Sequence, residues 1–230
     1  MATINRAGAL IPPKAPNLLI APPQYETRYQ EQLNNVLRLY FNTIDNFSQQ
    51  FVAETGGSYL KFPFIEASNS TAQYATGNNT ATIVRWDTTS LGNGFTLNVG
   101  NTATALFSGI YKITYSLQFA NNDNAAHDAI VWLRVNGSTS AADVANSTTI
   151  FTVPARKSAG VPTFVCGYSE VVFQLNAGDT VGLWWGTGLA ATSGGGNGVY
   201  MYRQVAQTTP MAYPATPSAI GSITFVSALY

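Results

Sequence analysis

The sequence predicts a mainly β protein: an antiparallel jelly-roll sandwich preceded by an extended proline-rich arm and one heptad-patterned α-helix. Three observations predict it. Between Gly109 and Asn121, Tyr111, Ile113, Tyr115, Leu117 and Phe119 alternate without a break with Lys112, Thr114, Ser116, Gln118 and Ala120. That period of two gives a strand one apolar and one polar face. From Gly57 onward, short apolar runs alternate with turn clusters at the spacing of a sandwich. Between residues 24 and 51 the apolar spacing is instead three and four, the helical signature. The alternating run covers roughly 35 Å at about 3.4 Å per residue. Its apolar face requires a second sheet.

Residues 1–23 contain Pro12, Pro13, Pro16, Pro22 and Pro23. Proline fixes φ and removes an amide donor, so the segment is extended. Leu18, Leu19 and Ile20 lie within it. They make it either an anchor for a groove on a partner or a disordered tail. Residues 24–57 follow as a helical stalk. Leu33, Leu37, Tyr40, Ile44, Phe47 and Phe51 fall at alternating heptad positions. Gly56 and Gly57 then end the helix. This stripe suits self-association, or packing on the chain's own domain.

Residues 58–230 read as one β-domain of about ten strands. Candidates are residues 59–65, with Pro63 marking an edge, then 81–86, 95–99 and 103–107. The organising strand comes next, then 129–135, 148–153 and 163–168. A hairpin over residues 171–185 follows, with final strands at 199–203 and 220–229. Asn136-Gly137 is a strong two-residue hairpin signal. Asp87-Thr88-Thr89-Ser90 reads as a turn. By strand parity Trp132 and Trp184 point away from the core. Such aromatics mark a subunit interface or lie under a loop of the same chain.

Eleven basic and eleven acidic residues cancel, and only 10% of the 230 residues are charged. About 25% is usual. A neutral, charge-poor surface argues against nucleic acid and anionic membranes as partners, and for surface covered by another subunit. The lone Cys166 excludes an internal disulfide and a cysteine metal cluster. No window resembles a signal peptide or a membrane span. Catalytic chemistry finds no support. The one histidine, His127, neighbours Asp128 but no flagged nucleophile. No acid pair carries a glycosidase motif. Gly194-Gly195-Gly196 lacks the Lys-Ser/Thr of a phosphate loop. The expectation is a non-enzymatic protein without cofactor or metal.

Three motifs in order carry a family resemblance. Ser108-Gly109-Ile110-Tyr111 opens the long strand. Leu133-Arg134-Val135-Asn136-Gly137 and Leu175-Asn176-Ala177-Gly178-Asp179-Thr180-Val181-Gly182-Leu183-Trp184 follow. Together they resemble the corresponding strands of C1q/TNF-like jelly rolls. The helix run Gln30–Asn42, the phrase Ala72-Gln73-Tyr74-Ala75 and the stretch Thr82–Ser90 resemble virion structural proteins of tailed, marine-type bacteriophages. That resemblance implies a homotrimeric jelly-roll head on a short stalk, made in the host cytoplasm and carried on the virion. It would attach to other head or tail proteins, or act as a fibre tip that binds a host surface glycan or protein. The collagen stalk and secretion signal of animal C1q relatives are missing here, and no acidic cluster matches their calcium sites.

Overall fold

In the computed structural model, the described residues are 13–18, 20, 23–52, 62–193 and 196–229. The chain divides into two compact units at Lys61/Phe62. Of the first, residues 13–18 have no regular secondary structure. Leu18 and Ile20 are exposed, whereas Leu19 lies outside the described residues. Helix α1 spans Thr27–Val52, within three residues of the predicted start. Leu33, Leu37, Tyr40, Ile44 and Phe47 are half-buried along one stripe; the side chain of Phe51 is outside the described residues. Leu39 and Phe41, on other faces, are exposed.

The second unit is a jelly-roll sandwich of two antiparallel six-stranded sheets. In chain order the strands are β1 (Phe64–Asn69), β2 (Thr82–Ile83), β3 (Thr88–Asn93), β4 (Phe95–Leu97), β5 (Ala103–Ala105), β6 (Gly109–Asn121), β7 (His127–Val135), β8 (Thr149–Val153), β9 (Thr163–Leu175), β10 (Thr180–Thr187), β11 (Val199–Met201) and β12 (Ala219–Ser227). The first sheet is built around β6. One edge of β6 pairs with β9 over its whole length, Gly109↔Leu175 through Asn121↔Thr163. Its other edge takes β12 and then β11. β12 continues to β1, and β1 to β3. In the second sheet β7 lies between β8 and β10. The far edge of β10 takes β2 and β5, and β5 pairs with β4. The chain crosses between sheets after β1, β2, β3, β5, β6, β8, β9 and β10, so that successive strands mostly alternate between the two layers.

The core follows strand parity. Tyr111, Ile113, Tyr115, Leu117 and Phe119 are all buried, facing Leu133, Leu183 and Trp185 from the opposite sheet. Phe119 and Trp185 rings lie 5.9 Å apart. Tyr111 meets Phe95 and Phe225 edge-on, and its hydroxyl donates to the Phe107 carbonyl at 2.7 Å. Full burial of one such side chain contributes about 1.5–3 kcal/mol. The Trp86 ring packs against Gly221 of β12. A Cβ at Gly221 would sit 2.7 Å from the indole, so only glycine lets the ring seat there.

Four local expectations need correction. β9 and β10 are not a hairpin. They belong to different sheets, and the 176–179 turn arches over the core, with Gly178 at φ +90. The apolar rows of the two strands face each other across the sandwich, which a sequence pattern cannot distinguish from neighbours on one sheet. Asn136 does take a positive φ of 58, but no two-residue turn forms. Its side chain instead donates to Asp179 at 2.7 Å and accepts from the Thr180 amide at 2.8 Å. This ties the end of β7 to the start of β10. The residues read as a turn after Asp87 form strand β3, whose Thr, Ser and Gly residues suit an edge. Finally, Pro63 precedes β1 rather than marking an edge, because β1 is paired on both sides.

Candidate recognition surface

Outward residues of the first sheet line up in rows set by the register. One row runs Tyr168, Ser116, Ile220, Ser68 and Thr88; the next runs Glu170, Thr114, Ser222, Glu66 and Leu91. A third runs Val172, Lys112, Thr224, Phe64 and Asn93. Tyr168, Val172, Leu91, Ile220 and Phe64 are exposed on this face. Between them lie small hydroxyl side chains. Its charges are Glu66 and the 3.4 Å pair Lys112–Glu170. Cys166 is also exposed on β9, and the Ser116 hydroxyl lies 3.2 Å from its Sγ.

At the end of this face, where β11 replaces β12 beside β6, aromatic rings gather. Tyr200 pairs with Ala120, which pairs with Phe164, so parity sends all three outward. Tyr74 stacks on Tyr200 with centroids 5.4 Å apart and planes 12° apart. Tyr202 stands edge-on to Tyr200 at 6.2 Å and packs on Phe164 at 4.8 Å. Burial and the neighbouring Tyr74 and Tyr202 hydroxyls push the Tyr200 pKa up. An open recess of about 350 Å³ lies among Thr71, Ala72, Tyr74, Tyr200, Tyr202 and Arg203. Gln73 fixes its floor. This buried amide accepts from the Arg85 amide at 2.7 Å and donates to the Ser218 hydroxyl and the Arg85 carbonyl, both at 3.2 Å. Its backbone bonds to Met201 in both directions.

On the second sheet, Trp132 and Trp184 are cross-strand partners and both point outward, as parity predicts. They do not face open space. The Arg134 guanidinium lies 4.4 Å from the Trp184 ring centroid and 5.4 Å from that of Trp132. Arg134 is held by Asp143 at 2.6 Å, and Trp132 Nε1 donates to the same carboxylate at 2.8 Å. The Arg134 bond, with help from Trp132, holds the Asp143 carboxyl below the usual range. What covers these rings in the chain is its own Arg134 and the loop that carries Asp143.

His127 Nε2 lies 2.8 Å from Asp123, not from its sequence neighbour Asp128, which accepts from the Thr152 hydroxyl. The His127 bond lowers the Asp123 pKa. This pair staples the β6–β7 turn, together with Asn121, whose amide donates to the carbonyls of Ala125, Val153 and Pro154. Among the described residues no group of three His, Cys, Asp or Glu could hold a metal, and no helix is long and apolar enough to cross a membrane.

Strand parity could have flagged Tyr200 and Tyr202, which flank the inward Met201. Tyr74 had no such signal, because only the fold brings it to β11.

No family model matches the chain, and no curated protein matches it. Among solved structures it is similar to that of Eiger TNF from S. frugiperda. The two are 14% identical over 73% of this chain and 96% of that one, with a TM-score of 0.44.

Proposed function

We propose that the protein is a non-enzymatic structural component of a tailed-phage virion. It is a homotrimer that projects its C1q/TNF-like jelly roll and is held to the particle by residues 1–23. The observation that carries the assembly reading is the outer face of the first sheet. Among the described residues of this face, the exposed Tyr168, Val172, Ile220, Phe64 and Leu91 surround one ion pair and one further carboxylate. Apolar side chains on a charge-poor face favour association with like surface. The heptad stripe of α1 supports the same reading, since none of its described residues is buried. Exposed Leu18 and Ile20 give the arm its anchors, with Leu19 between them in sequence.

Two measurements test this. Light scattering on the purified chain should report three times 24.6 kDa; a concentration-independent monomer overturns the trimer. Particles assembled with a chain lacking residues 1–23 should not carry it. Normal occupancy removes the anchoring role, and absence of the intact chain from purified particles overturns the virion reading itself. A second reading, a fibre tip that recognises a host surface molecule, is favoured by the tyrosine recess.

A further inference from the structure

We propose that the recess among Tyr74, Tyr200, Tyr202 and Arg203 is a glycan-binding subsite for a sugar that carries a carboxylate. This rests on the second of the two readings above, and names its site and ligand class.

The rings come first. Tyr74, Tyr200 and Tyr202 form a cluster with Ala120 and Ala191, separate from the main core. Tyr200 is almost covered, at 8% exposed, while Tyr74 and Tyr202 remain half-exposed around it. One ring is thus a fixed floor, and two are walls, Tyr74 held by stacking and Tyr202 by an edge-on contact. Aromatic faces carry negative charge, and the C–H face of a pyranose presents weakly positive hydrogens. A rigid aromatic wall loses little entropy when a sugar packs on it. The volume of about 350 Å³ suits one or two sugar units.

The charge comes second. Arg203 lines the recess and donates one bond, Nη1 to the Ser70 carbonyl at 2.9 Å. Arg85 sits behind the rim with a 3.3 Å bond to the Ala72 carbonyl. Neither makes an ion pair among the described residues, where the pairs are Lys112–Glu170, His127–Asp123 and Arg134–Asp143. The carboxylate nearest in the bonding pattern, Asp87, is occupied by the amide and hydroxyl of Ser70 at 2.9 and 2.8 Å. In a chain this poor in charge, a guanidinium with one carbonyl bond and no ion pair among the described residues, set beside three rings, selects an anion, and its planar fork suits a carboxylate. The Tyr202 hydroxyl already donates to Gln204 at 2.7 Å, which leaves its oxygen to accept from a sugar hydroxyl.

The test is a glycan array of uronic-acid, sialic-acid and neutral oligosaccharides, followed by saturation-transfer NMR on the full chain. Acidic glycans should bind in preference to neutral ones. Tyr74→Ala and Tyr202→Ala should each weaken binding at least tenfold. Arg203→Gln should abolish the preference for acidic over neutral sugars while the melting temperature is kept. Three results overturn the proposal. One is no binding to any glycan by a folded protein. Another is binding unchanged in Tyr74→Ala and Arg203→Gln, which leaves the recognition reading standing at another site. The third is a change of oligomeric mass in these variants without any effect on sugar, which makes the recess a subunit contact.

Discussion

Replacing Tyr168 and Val172 together by Asp should convert the proposed trimer to monomer while leaving the β-domain folded. Both side chains stand on the outer face of β9, 60% and 59% exposed. A tyrosine side chain offers about 150–250 Å² to an interface. Covering the exposed share removes about 90–150 Å², which at about 25 cal/mol per Å² contributes about 2–4 kcal/mol. The same reckoning for Val172 gives about 1–2 kcal/mol. Association costs consume much of this. If a third survives, three copies still retain about 3–6 kcal/mol, at least a hundredfold in the assembly constant. The new carboxylates add repulsion at a face that already holds Glu170 and Glu66. Sedimentation velocity across a concentration series would read the result, with Tyr168→Ser/Val172→Ser separating lost apolar area from added charge. A double variant that keeps the trimer mass refutes the placement of the interface on this sheet. A variant that loses the far-ultraviolet β signal shows the side chains to be part of the fold.

Four further outcomes are expected. Leu37→Asp with Ile44→Asp places charges in the half-buried stripe of α1 and should weaken assembly by several kcal/mol. A fragment 62–230 should still fold, and its failure would make the helix a core element. Asp143→Asn should flatten the acid limb of thermal stability. Arg134 depresses the Asp143 pKa below 3.8, so its contribution is present above that value and is lost as the pH falls through the folded pKa. Melting curves from about pH 2 to 6 that run parallel for both proteins would contradict this. Gly221→Ala should cost about 1–3 kcal/mol through overpacking against Trp86, and Trp86→Leu in the same chain should recover part of it. Additive losses in a denaturant double-mutant cycle would show that the ring and the glycine do not share a contact.

The long strand was legible to the residue because one period of two runs through Gly109–Asn121. α1 was legible because nothing interrupts its spacing. β3 was not, since its Thr-Thr-Ser-Leu-Gly-Asn has the composition of a turn, and only pairing with β1 makes it a strand. The false hairpin over residues 171–185 has a different origin. Two strands on opposite sheets, each facing the core, give the same in-phase apolar rows as two paired strands. Sequence fixes which way Phe173 and Leu183 point relative to the core but not which sheet carries them. The site was less legible than the fold. Trp132 and Trp184 were placed outward correctly, but the Arg134–Asp143 cover depends on a loop whose path only the structure supplies. Tyr74 reaches Tyr200 from 126 positions away, a juxtaposition that no local pattern encodes.

The two sheets treat their outward aromatics differently, and that contrast bears on function. On the second sheet, Trp132 and Trp184 would be costly to leave open, and the chain covers them itself. Arg134 spans both rings, Asp143 neutralises it, and the Trp132 indole bonds to the same carboxylate. Ile150 stays exposed there, but no aromatic row does. On the first sheet, none of the described residues of the same unit supplies such a cover. Tyr168 stands over hydroxyl side chains, and Tyr74 and Tyr202 border an open recess beside an arginine with no ion pair among the described residues. A fold able to close one aromatic patch with two charged residues could close the other in the same way. The outward rings of this sheet fall into two chemically distinct zones. Tyr168 and Val172 sit among small hydroxyls, a surface suited to another copy of itself. Tyr74, Tyr200 and Tyr202 sit beside a cation, a surface suited to an anion-bearing ring. Because both zones lie on one sheet, the proposed trimer contact and the proposed sugar site would be coupled by geometry. Subunits that pack through Tyr168 but stop short of Phe164 leave the recess open, whereas subunits that cover Phe164 close it. Sugar binding by the assembled trimer, compared with the Tyr168→Asp/Val172→Asp monomer, separates these cases. Equal affinity means that the interface ends before Phe164, and sugar binding by the monomer alone means that it does not.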